Sequence, residues 1–305
     1  MDSSKKKVSK KYVKRQFYTI GLVLIVYCLF VLYIPLFLNK AWTLLNFPFL
    51  KIFDSPILRQ NICLIVGTII PFSLLSITSK DNIKDFNNKT EISFVEHLIN
   101  FIVFFFCGAA LMFVTMMLAQ YINVSGQLVS SIGITFNSEY LNDIFYVISF
   151  IVITPILEEY AFRGVLLKCL SKYGKYFAVI ASSLIYALAH GSFVEMIPSF
   201  FMGLILSKKV LYYKSIKPTI IMHILFNASL FLMLIASEHY SLYVVIALTV
   251  MLILAFILLA TKKYHFIKIK KSDTNSRVGL LFLSTPTIVF TLILFIGHSI
   301  LLFFL

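Results

Sequence analysis

Long apolar runs broken by short polar stretches dominate the chain. A run of ~20 apolar residues matches a helix crossing the hydrocarbon core of a bilayer. Nine such runs can be drawn, at about 17–39, 57–78, 95–122, 141–158, 176–191, 194–213, 218–237, 240–261 and 279–304. The last is long enough to tilt or overrun. The longest loops between them, roughly 40–56, 79–94, 123–140 and 262–278, are short and polar, so none is large enough to fold alone. The pattern predicts an all-α fold, a polytopic transmembrane helical bundle of about 8–9 spans. Its function is expected between the helices.

Composition agrees with this class. Of the 305 residues, 60% are hydrophobic and 13% charged, where a soluble chain carries about 25% charged. Cys28, Cys63, Cys107 and Cys169 are scattered without a CxxC pair, which signals packing rather than a zinc knuckle or disulfide framework. The start "KKKVSKKYVKRQ" mimics a signal peptide. The apolar run Phe17–Leu38 is longer than a usual signal core and no small-residue cleavage site follows, so it is expected to stay as a first span.

Charge placement adds an orientation. Alternate termini and loops hold 7, 3, 3, 4 and 6 Lys/Arg, whereas the opposite set holds 3 (Lys40, Lys51 and Arg59). The positive-inside rule then predicts a cytoplasmic N-terminus and, with nine spans, an external C-terminus. The net charge of +14 is mostly this topology signal. No separate basic domain supports nucleic-acid binding. The lipid bilayer is the expected surrounding. The Lys, Ile, Asn and Phe bias points to a bacterial, multi-pass cell-membrane protein.

Against this background a few ionisable residues stand out. Glu158 and Glu159 sit at the exit of the fourth apolar run, and Arg163 follows. The other eleven acidic residues fall in termini, loops or helix ends. Ionisable groups within a span cost several kcal/mol and are a functional signal by default. Glu159 and Arg163 are i,i+4 on one face, an ion-pair spacing. Glu158 lies about 100° round the helix and is left over. His223 and Asn227 share a face in "HILFN", as do Tyr186 and His190 in "YALAH". Each alone could be interhelical packing glue. Together, a leftover carboxylate and two histidines form a general base with polarising partners. Simple depth counting leaves His190 and His223 ~13 Å apart along the membrane normal. A tilted or deeply set fifth helix, or a break near Gly191, would remove that gap.

At these residues the chain resembles the CPBP family of intramembrane proteases, which includes CaaX prenyl endopeptidases and bacteriocin-processing or immunity proteins. The family pattern EExxxR, FxxxH and HxxxN or HxxxD on successive helices reads here as "EEYAFR" (158–163), "YALAH" (186–190) and "HILFN" (223–227). Tyr186 replaces the usual phenylalanine. The resemblance implies catalytic roles for Glu158, Glu159, Arg163, His190, His223 and Asn227. It implies peptide hydrolysis by a glutamate-activated water and leaves open whether a metal assists. Were Zn²⁺ used, Glu158, His190 and His223 would hold it, since three ligands and an open position make a catalytic zinc site. Asn is a poor zinc ligand but a good oxyanion donor. That favours water activation by Glu158 and His190, with His223 and Asn227 on the oxyanion. No HExxH or GxGD motif occurs.

The resemblance divides the chain into a three-span region (1–140), a catalytic membrane core (141–237) and a two-span region (238–305). The expected partner is a membrane-associated peptide or protein substrate entering from the bilayer or its cytoplasmic face, in peptide maturation or bacteriocin immunity. The competing expectation is a catalytically silent scaffold or regulator with a structural polar cluster.

Overall fold

The computed structural model describes residues 10–45, 55–79, 92–121, 144–239, 241–261, 267 and 276–304. The expected loop at 123–140, and most of those at 79–94 and 262–278, lie outside them. Helix α1 (Lys10–Cys28) continues through a π turn (Leu29–Tyr33) into α2 (Ile34–Leu45). Helices α3 (Pro56–Thr78) and α4 (Phe94–Tyr121) follow. The fourth segment is continuous from Ile144 to Ser171. It comprises α5 (Ile144–Ile148), a π turn (Ser149–Ile153), α6 (Thr154–Glu158), a π stretch (Glu159–Leu166) and α7 (Leu167–Ser171). Then come α8 (Lys175–Leu188), α9 (Phe193–Tyr213), α10 (Lys217–His239), α11 (Ser241–Ala260), α12 (Ser276–Leu283) and α13 (Pro286–Phe304).

The protein is an all-helical multi-pass membrane protein. Four helices among the described residues are long and apolar enough to cross a bilayer, or five if the bent pair α12–α13 is one span. That is fewer than the 8–9 expected from sequence. Large apolar side chains such as Phe37, Ile77 and Phe256 are at least 70% exposed, which suits a surface facing lipid. Two further expectations change. The fourth segment does not end at Glu158 but runs on to Ser171: the next carboxylate, Glu159, is buried and paired with Arg163 one turn on. The last run is not one straight helix: α12 and α13 meet at 63°. Pro286 opens α13, and the residue before a proline is disfavoured in helical backbone.

Local chemistry explains the other boundaries. Ser55 caps α3, its Oγ accepting from the Leu58 N–H at 3.3 Å, with Pro56 in the first turn. Gly174 (φ 128°) and Gly191 (φ 74°) occupy the breaks before and after α8, where a left-handed backbone favours glycine.

Side-chain pairings fix the packing directions. Arg59 Nε donates to Asn39 Oδ1 at 2.9 Å, and Tyr27 packs on Phe72, so α3 runs back along α1–α2. Ser149 bonds Asn61, and Tyr160 lies 2.7 Å from Ser73, so the Ile144–Ser171 helix runs parallel to α3. Thr287 donates to the Tyr18 carbonyl at 3.0 Å and Tyr33 to that of Leu294 at 2.7 Å, so α13 runs parallel to α1. One buried network ties α4 to α9: Lys209 donates to Asn100, Asn100 to Tyr213 at 3.0 Å, and Tyr213 to Glu96 at 2.5 Å.

Two apolar clusters result. The larger is exemplified by Phe17 against Tyr173, Phe177 and Phe282. The smaller joins α4, α9 and α10 through Phe104, Phe105, Met202, Leu206, Met222 and Phe226. A cavity lies between them, bordered by Tyr27, Tyr186 and Ala189 of the first and by Met202 and Phe226 of the second.

Candidate active site

The cavity measures about 300 Å³ and collects polar groups from six helical segments. Glu158 reaches it from α6, His190 from the turn after α8, and His223 and Asn227 from α10. Four of the six residues expected from sequence therefore border one space. The other two, Glu159 and Arg163, lie behind it with side-chain exposures of 0% and 1%.

The adjacent glutamates have separate surroundings. Arg163 Nη1 is 3.0 Å from Glu159 Oε1, one turn along the helix. The guanidinium carbon also lies 3.8 Å from the Tyr186 ring centroid, a desolvated cation–π contact. Tyr186, the departure from the family pattern, thus covers the arginine with its ring. Glu159 Oε1 also accepts from His223 Nδ1 at 3.2 Å. Glu158 stays 15% exposed, with Oε2 3.8 Å from His223 Nε2. That is beyond hydrogen-bond reach.

Each histidine has one nitrogen engaged. Nδ1 of His190 donates to the Tyr186 carbonyl at 2.9 Å. Nδ1 of His223 donates to Glu159. A neutral imidazole with a donating Nδ1 carries its lone pair on Nε2. Both rings therefore bring a proton-accepting nitrogen to the cavity side. Their tautomers are set by a backbone carbonyl in one case and a carboxylate in the other.

The 13 Å depth gap is removed at both ends. Helix α8 stops at Leu188, and the His190 ring folds back against Tyr186, with centroids 4.7 Å apart. Meanwhile α10 begins deep. A Cβ added at Gly164 would lie 3.7 Å from Ile216 Cδ1, so the start of α10 is level with Gly164 rather than Ser171. Seven residues of helix make that about 10 Å.

Glu158, His190 and His223 share the cavity without gathering round one point. Among the described residues no three His, Cys, Asp or Glu side chains group as ligands for a metal ion. The zinc set expected from sequence does not fit this arrangement, and the chemistry below uses none.

Among the cavity groups that sequence reasoning missed are Tyr27, Tyr146 and Glu195. Glu195 looked like a helix-end carboxylate, and it does lie in the first turn of α9. The available signal was its position five residues after His190, at the start of an apolar run. Tyr27 carries no such signal, since it is one aromatic among many in the first run.

No curated protein and no solved structure matches the chain. A family model does: residues 140–229, 90 of the 305, match the type II CAAX prenyl endopeptidase Rce1-like family. This segment contains Glu158, Glu159, Arg163, His190, His223 and Asn227, and the match agrees with the CPBP resemblance carried by "EEYAFR", "YALAH" and "HILFN".

Proposed function

We propose that the protein is an intramembrane endopeptidase in which Glu158 activates a water for attack on a peptide bond. The observation that carries this reading is the division of labour between the two glutamates. Arg163 and His223 engage Glu159, and Glu158 is left facing the cavity. In the proposed reaction Glu158 takes a proton from water as its oxygen bonds to the substrate carbonyl carbon, with His190 Nε2 orienting that water. His223, held at Nδ1 by Glu159, takes a proton from solvent at Nε2 before the attack, donates it as a hydrogen bond to the tetrahedral oxyanion, and keeps it as the carbonyl re-forms. Collapse breaks the C–N bond, and the proton on Glu158 passes to the leaving nitrogen. General acid–base transfer of this kind contributes 10²–10⁴-fold, and a preorganised oxyanion donor adds ~3–4 kcal/mol.

The lining also speaks to substrate. Val31, Leu32, Leu64, Met112 and Leu230 are apolar, Glu158 and Glu195 are acidic, and no Lys or Arg borders the cavity among the described residues. In a chain of net charge +14 that asymmetry favours an apolar peptide segment carrying a cationic group. Gln60, Asn61, Tyr146 and Glu195 come from the first two turns of α3, α5 and α9, which begin at the side opposite Lys10. With the N-terminus cytoplasmic, that is the outer half of a bacterial cell membrane. Such a site suits maturation of a membrane-associated peptide or defence against an incoming one.

The test compares membrane peptides of cells carrying wild-type protein with those carrying Glu158→Gln, followed by assay of any differing peptide with purified protein. An uncleaved precursor in the variant supports the reading. Identical peptide profiles would leave a membrane scaffold as the better account.

A further inference from the structure

Tyr146, Phe150, Thr154 and Glu158 of the Ile144–Ser171 helix all border the cavity, at a spacing of four. An unbroken α-helix does not keep that spacing on one face. Twelve residues at about 100° each would leave Glu158 about 120° away from Tyr146. The π turn at Ser149–Ile153 absorbs one residue into a wider turn and reduces the offset to about 20°. Where Glu158 points is therefore set upstream of it.

That π turn has a main-chain consequence. The Thr154 N–H donates to the Ser149 carbonyl, five residues back. An α-helix would have directed it to Phe150. The next N–H that a π turn could aim at the Phe150 carbonyl belongs to residue 155, a proline, which has none. Asn227 supplies a donor from another helix: its Nδ2 reaches the Phe150 carbonyl at 2.8 Å. At that distance only the amide nitrogen, not the amide oxygen, can face a carbonyl. Asn227 is 8% exposed, so the bond is made away from bulk water, where a missing partner is costly.

We propose that Asn227 is a positioning residue for Glu158, its carboxamide standing in for the N–H that Pro155 lacks and holding the π turn that rotates Glu158 into the cavity. This extends the protease reading only in taking Glu158 as the base. It differs from the role expected from sequence, in which Asn227 donates directly to the oxyanion. The two roles separate through Pro155. Alanine at 155 restores a main-chain donor beside the Phe150 carbonyl, and that can relieve a lost positioning bond but not a lost oxyanion donor.

The experiment uses full-length protein in detergent as wild type, Asn227→Ala, Pro155→Ala and the double variant. Two readouts are taken: kcat and KM on the cleaved peptide, and amide hydrogen exchange across residues 144–166. Asn227→Ala is expected to lower kcat at least tenfold and to speed exchange several-fold at 151–158. The double variant is expected to recover both. A lower kcat with unaltered exchange and no recovery at Pro155→Ala would overturn the proposal in favour of direct oxyanion donation. If Asn227→Ala does not fold, Asn227→Leu, which fills similar space without a donor, takes its place. Should wild type cleave nothing while exchange still couples Asn227 to Pro155, the protease reading fails and the positioning bond stands. Uncoupled exchange sinks the positioning role whatever the activity.

Discussion

His223 stands between two consecutive carboxylates, its Nδ1 3.2 Å from Glu159 Oε1 and its Nε2 3.8 Å from Glu158 Oε2. One imidazole thus links the buried ion pair to the cavity. Its Nε2 faces Glu158 and the cavity, where a donor could meet developing negative charge.

The two glutamates should therefore fail differently. Glu158→Gln is expected to lower kcat by 10²-fold or more with unchanged yield of folded protein, because it removes the proposed general base from a side chain that borders the cavity and is not locked in the buried ion pair. Arg163→Ala strands Glu159 at 0% exposure and should cost about 3–5 kcal/mol of stability. Yield and thermal unfolding in detergent, measured beside turnover, check the pair. Equal loss of folded protein in both variants would remove the distinction.

Metal dependence gives an independent test. The cavity histidines and Glu158 do not group as a ligand set among the described residues, so activity should persist in protein dialysed against chelator and shown metal-free by elemental analysis. Loss on chelation with recovery on added Zn²⁺ would contradict the proposed water activation.

Glu195 should govern which peptides are cut. Glu195→Gln keeps the shape and removes the charge, so kcat/KM for substrates with a basic residue should fall about tenfold or more, and that for uncharged analogues should change little. The assay is competition between matched peptides differing at that one residue. Equal effects on both peptides would assign Glu195 to structure rather than selection.

A stability prediction concerns the packing of α1 on α13. A Cβ at Gly21 would lie 2.7 Å from the Thr287 backbone carbon, closer than any real contact. Thr291 also donates to the Gly21 carbonyl at 3.2 Å. Small residues that let membrane helices approach this closely do not tolerate enlargement. Gly21→Ala should destabilise by ~1–3 kcal/mol, read as a lower midpoint in thermal unfolding, and Gly21→Leu by more. An unchanged midpoint would mean that α13 does not dock as described.

Orientation can be read directly. The Lys/Arg asymmetry predicts that reporter fusions after residue 270 report the cytoplasm and those after residue 130 the outside. A cytoplasmic signal at 130 would overturn both the topology and the outer-half placement of the cavity.

Much of this protein was legible from sequence because helical spacing is a local property. Apolar runs of membrane length announced the class. The i,i+4 pairs Glu159–Arg163 and Tyr186–His190 meet as their spacing demands, since residues four apart on a helix are neighbours wherever the helix lies. What spacing could not supply was the phase between helices. The start of α10 level with Gly164 depends on Ile216 packing beside a backbone far away in the sequence. So does the delivery of Glu195 and Tyr27 to the cavity of Glu158. The π turns were equally hidden. Pro155 marks where a main-chain donor is missing, but only the Asn227 amide arriving from α10, 77 residues along the chain, makes a wide turn there stable. Local sequence chooses the helices; where each begins, and which face it turns inward, is chosen by the partners that satisfy its polar groups away from water.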